Sequence, residues 1–85
     1  MKSIWTANYE NNAIKIINTW FDGEPLYVNN DLQDKKFGLV SSNLTGHIIN
    51  SKNEKEHIKA TIFGWFKVDC ILFISDKKIE LTKEK

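Results

Sequence analysis

Ile58-Lys59-Ala60-Thr61-Ile62-Phe63-Gly64-Trp65-Phe66 is the stretch whose reading decides the fold. Ile58, Ala60, Ile62 and Phe66 alternate with Lys59, Thr61, Phe63 and Trp65, the period-two pattern of a strand with one buried face. The second face changes from polar to aromatic midway and must itself meet something. The same alternation continues downstream, where Val68, Cys70, Leu72 and Ile74 oppose Asp69, Ile71, Phe73 and Ser75. Asp76-Lys77-Lys78 then reads as a turn into a last strand through Ile79 and Leu81, and residues 82–85 read as a solvated tail.

Upstream, residues 51–57 form a polar, charged connection. Before it, Leu44, Gly46 and Ile48 lie opposite Thr45, His47 and Ile49, with residues 41–43 as a bend or bulge and a further strand from Phe37 through Leu39. In the first half, Trp5, Ala7 and Tyr9 share a face, and Asn11-Asn12 is expected to turn the chain, because Asn tolerates left-handed backbone. Ile14, Ile16, Asn18 and Trp20 then face away from Lys15, Ile17, Thr19 and Phe21. Asp22-Gly23-Glu24-Pro25 is the plainest turn. Residues 26–28 make a short strand ended by residues 29–31, and residues 32–36 read as loop, too short and too charged for a helix with a face to bury. Residues 1–85 are therefore expected to form a single all-β domain, with six to eight antiparallel strands in a small meander-like sandwich or barrel.

Composition limits what such a domain does. The chain has 85 residues, 41% of them hydrophobic and 27% charged, enough for one core and no second domain. Nothing at the amino terminus resembles an export signal, and the longest apolar stretch, residues 58–74, is broken by Lys59, Lys67 and Asp69, so neither a leader nor a membrane span is expected. A lone Cys70 fits a reducing cytoplasm. Asn43-Leu44-Thr45 matches a glycosylation acceptor, a chance match if the chain is not exported. All twelve basic residues are Lys, the net charge is +1, and acidic residues are interleaved with the lysines. Without Arg for bidentate contacts, that pattern disfavours nucleic acid as a partner.

A Trp-containing first strand, an Ile-Lys-Ile strand, Leu26-Tyr27-Val28-Asn29-Asn30 before a charged loop, Lys59-Ala60-Thr61-Ile62, and the run from Ile71-Leu72-Phe73-Ile74 to Ile79 follow one another in this order. That order resembles the β-sandwich repeat of the Fas apoptosis inhibitory molecule family. The connection between the second and third strands is shorter here. The resemblance implies a non-enzymatic module that acts on other proteins, and it transfers no site residue. The segment from Trp20-Phe21-Asp22-Gly23-Glu24 to Tyr27-Val28 also looks like a feature of small bacterial β-proteins.

No residue set spells out a reaction. His47, His57 and Cys70 are the soft-metal ligands, and none is spaced as in a zinc site, so no metal or cofactor is expected. Cys70 alternates in phase with a buried face, and its use as a nucleophile needs a base that sequence does not place. Asp22, Glu24, Asp31 and Asp34 cluster without the spacing of a calcium loop, and the four glycines are too scattered for a phosphate loop. What remains is a surplus of rings. Trp20, Phe21, Tyr27 and Trp65 are the expected interaction surface of a non-catalytic module that binds itself or another protein through an aromatic-bearing sheet face or edge. The alternatives are a small ligand-binding barrel or hydrolase with a polar pocket holding His47 or Asp22, and a single-stranded nucleic-acid binder.

Overall fold

The computed structural model describes residues 2–19, 22–37, 41–64 and 67–84. These contain nine strands and no helix: β1 (Lys2–Tyr9), β2 (Asn12–Thr19), β3 (Glu24–Val28), β4 (Asp31–Lys36), β5 (Ser41–Ile49), β6 (Lys55–Phe63), β7 (Asp69–Ile74), β8 (Lys77–Ile79) and β9 (Thr82–Lys83). They form two antiparallel sheets, one in the order β4-β3-β2-β1-β9 and the other β5-β6-β7-β8. Each sheet is a run of hairpins between consecutive strands, and β9 alone returns across the sequence to pair with β1.

Three of the hairpins close through two residues that both have positive φ, Glu10-Asn11, Asn29-Asn30 and Ser75-Asp76. That is the type I′ geometry whose twist matches the flanking strands. The first turn thus falls one residue before the expected Asn11-Asn12, and the last falls at Ser75-Asp76 in place of Asp76-Lys77-Lys78. Asn12 is instead a buried strand residue, whose amide donates to the carbonyls of Glu10 (3.0 Å) and Ile49 (2.9 Å). It has a structural task that a turn position would not give it.

Strand β4 corrects the expected loop at 32–36, and with β9 it takes the count beyond the expected six to eight. Its sequence hides it, because Leu32 is its one apolar residue and is 56% exposed. A register shift against β3 leaves Gln33 as an extra residue, since Leu26 faces Asp34 while the next residue, Tyr27, faces Leu32. The inserted Gln33 and its neighbour Asp34 point at β5. Gln33 Oε1 accepts the His47 N–H (3.2 Å) and Asp34 Oδ2 accepts the Thr45 N–H (2.9 Å). Gly46 leaves the room this requires, because a Cβ there would lie 3.0 Å from Gln33 Oε1. Residues 55–57, expected as connection, are paired residues of β6.

The inner faces of both sheets meet in one apolar cluster. Trp5, Ile14, Ile16 and Leu26 come from the first sheet, and Leu44, Ile58, Leu72 and Ile74 from the second, all at most 2% exposed. At roughly 1.5–3 kcal/mol per fully buried large side chain, this cluster is the main source of stability. Its interior needs no further residue type. The outer faces are where sequence choice is left to function.

Candidate binding face

The outer face of the β5–β8 sheet is built by the second phase of the alternation. Cross-strand register sets Lys59 of β6 against Phe73 of β7, and Phe73 against Lys78 of β8, so one row reads Thr45, Lys59, Phe73, Lys78. Thr61 opposes Ile71 in the next row, and Phe63 opposes Asp69 beyond it. Phe73 is 38% and Phe63 37% exposed, with Ile71 half-buried between them. Two phenyl rings thus stand on an open sheet, one of them flanked by lysines on both neighbouring strands.

His47 and His57 lie directly opposite each other in the adjoining row. The N–H groups of Thr45 and His47 leave β6 for the side chains of β4, and the His57 carbonyl accepts the Ser75 N–H (3.0 Å) from the turn after β7. The two histidines are therefore a non-hydrogen-bonded pair, the closer of the two antiparallel geometries. Cys70, in contrast, points inward and is buried. Burial, with the nearby Asp69 and Glu24 carboxyl groups adding to it, pushes its thiol up to about 12. It carries no thiolate at neutral pH and lies on the opposite side of the sheet from both imidazoles. No group of three or more potential ligands for a metal occurs among the described residues.

Glu10, Glu24 and Glu56 are held in hydrogen bonds between elements. Glu24, 4% exposed, accepts hydrogen bonds from the Asn18 amide on β2 and the Ser42 hydroxyl on β5, joining the two sheets at one end. At the other end, Glu10 and Glu56 tie three hairpins together. Ser51 donates its hydroxyl (2.5 Å) and its N–H (3.1 Å) to Glu10, which holds that carboxyl below the ordinary range. Glu56 is lowered chiefly by the Asn50 amide (2.8 Å), then by Ser75, with Tyr9 Oη (3.1 Å) and Lys77 contributing less. Lys77 donates to Tyr9 Oη (2.9 Å) and lies over that ring, and its ammonium is correspondingly raised.

These groups line an open polar cleft of about 540 Å³ with balanced charges, Lys52, Lys55 and Lys77 against Glu10, Glu54 and Glu56. A second cleft of about 290 Å³ runs beside β8 and β9, lined by Trp5, Cys70, Ile79, Leu81 and Lys83 among others. The buried Trp5 Nε1–H has no acceptor among the described residues. Neither cleft is lined by His47 or Asp22, the residues on which a polar-pocket reading depends.

Of the four residues expected to make an interaction surface, Trp20, Phe21 and Trp65 lie outside the described residues. Tyr27 is half-buried on the outer face of the other sheet, between Lys15 of β2 and Leu32 of β4. Of the exposed rings, Phe63 belongs to the face that the sequence shows turning aromatic midway, whereas Phe73 was not singled out, although its phase opposite the buried residues of β7 was the available signal. Comparison with family models, curated proteins and solved structures finds no match for this chain. Among the described residues no helix is long and apolar enough to cross a membrane.

Proposed function

We propose that this domain is a non-catalytic binding module, a two-layer sandwich that engages its partner through the outer face of the β5–β8 sheet. The observation that carries the reading is the pair of exposed rings, Phe63 and Phe73, on a sheet whose opposite face already supplies a complete core. Apolar area on an open face has no part in that core, and such area commonly marks a contact surface. The edge mode has less support. The N–H groups of Thr45 and His47 on β5 are capped by side chains of β4, and the edges at β8 and β9 are three and two residues long, a poor template for an added strand. The inert thiol of Cys70 and the hydrogen-bonded carboxyl groups of Glu10, Glu24 and Glu56 likewise favour binding over catalysis. The resemblance to the Fas apoptosis inhibitory molecule family points the same way, and the single free cysteine suits a reducing compartment such as the cytoplasm.

The test is affinity capture with the tagged protein, scored for both proteins and nucleic acids, together with molar mass by light scattering. The Phe63→Thr/Phe73→Thr variant is the control, since Thr keeps strand propensity on an outer face. Loss of a retained partner or of a dimer, with the far-ultraviolet circular dichroism unchanged, supports the face. A wild-type monomer that retains nothing, or retention that the variant leaves intact, overturns it.

A further inference from the structure

We infer that the outer face of the β5–β8 sheet binds single-stranded nucleic acid, with phosphates on Lys59 and Lys78 and a base stacked on Phe73; this rests on the binding-face reading above. Composition argues the other way, because the net charge is only +1 and acidic residues follow the lysines along the chain. Folding separates what the sequence interleaves. Within β5 to β8 the outward positions hold Lys59 and Lys78 against Asp69, with Lys55 at the margin beside the balanced cleft and Glu80, one residue past β8, lining the same cleft as Lys78 and Asp69. Glu56 goes to the hairpin-end network and Glu24 to the interior. The row that a polyanion meets, Thr45, Lys59, Phe73 and Lys78, itself holds no carboxylate.

The arrangement of the cations relative to the ring selects the ligand. Lys59 and Lys78 sit on the strands either side of Phe73, roughly 10 Å apart at the backbone from two strand spacings. A ring between two ammonium groups suits an alternation of flat bases and charged phosphates, the combination by which sheet surfaces hold single strands. A duplex hides its bases from such a ring. A protein partner is the weaker fit, because lysine is depleted from the cores of protein interfaces. Lysines act as point charges and lack the fork that reads base edges, so binding is expected to tolerate any sequence. His47 and His57, one row away, extend the face with two further planar rings.

The experiment is fluorescence anisotropy of a labelled oligothymidylate of about twelve nucleotides, with inorganic polyphosphate as an anion that has no rings. Two lysine contacts give a salt slope near −1.4, so affinity should fall about 7-fold between about 50 and about 200 mM salt. Lys59→Ala/Lys78→Ala should remove most of that slope of about 1.4, and Phe73→Thr should weaken binding roughly 5- to 150-fold through lost stacking. Absence of binding to the oligonucleotide overturns the inference, as does binding that Phe73→Thr leaves unchanged or that polyphosphate matches. If the oligonucleotide fails while Phe63→Thr/Phe73→Thr still abolishes a protein contact or a dimer, this inference falls and the binding-face reading stands. If both fail, both fall.

Discussion

Ser42→Ala removes one of the two hydrogen bonds that hold the Glu24 carboxyl group between the sheets. The affected acceptor is 4% exposed, as is Ser42 itself, so water cannot readily replace the lost hydroxyl. Leaving a buried polar atom short of a partner costs about 1–3 kcal/mol, whereas removing both partners together is much cheaper. Ser42→Ala alone should therefore destabilise by about 2 kcal/mol. Glu24→Met/Ser42→Ala should cost less than the sum of the two single changes, because Asn18 is only half-buried and can turn to solvent. In urea, with a slope of about 1 kcal/mol per molar for a chain this short, the single variant should shift the unfolding midpoint down by about 2 M. A Ser42→Ala midpoint within about 0.5 M of wild type, or strictly additive single changes, would show that the two sheets are not coupled through this carboxyl group.

The lowered Glu10 and Glu56 give the hairpin-end network a definite pH dependence. Their stabilisation is complete above the ordinary value of 4.5 and is lost as pH falls through the lower folded values, while that of the raised Lys77 is lost only as pH rises beyond 10.5. Carboxyl titration by nuclear magnetic resonance should show Ser51→Ala returning Glu10 toward 4.5; an unmoved titration rejects the hydrogen-bond cause. Cys70 should resist a neutral thiol reagent in the folded protein and react promptly in urea, and prompt reaction of the native protein would contradict its burial. Asn30 has φ 71° at the second turn position, so Asn30→Gly should stabilise by up to about 0.5 kcal/mol and Asn30→Val should destabilise by about 1–2 kcal/mol, both read by thermal unfolding.

The alternation at residues 58–66 and 68–75 was enough to orient β6 and β7, because hydrophobic burial imposes period two on any strand with a single core behind it. The same rule was silent on β4. Gln33 and Asp34 direct their side chains to backbone donors of β5, so polar residues take inward positions and the pattern that betrays a strand disappears. The turn at Glu10-Asn11 was misplaced by one residue because an Asn pair fits a left-handed turn in either register, and the choice depends on the distant Ile49 carbonyl that Asn12 reaches. The candidate face was partly legible: Phe63 and Phe73 could be assigned to outward phases. That Phe73 sits between Lys59 and Lys78, and His47 opposite His57, follows from strand pairing, which single-strand periodicity does not contain.

The division into two runs of consecutive hairpins has a kinetic consequence. Every pairing except β1 with β9 joins neighbours in sequence, so loop closure costs little and the I′ hairpins can form on the scale of microseconds. The slow event should then be the docking of residues 2–36 onto residues 41–79, when core surface from both runs is buried at once. Substitutions within a hairpin should then act mostly on the folding rate, whereas Glu24, Ser42 and the β9 contact, which exist only after docking, should act mostly on how fast the native protein comes apart.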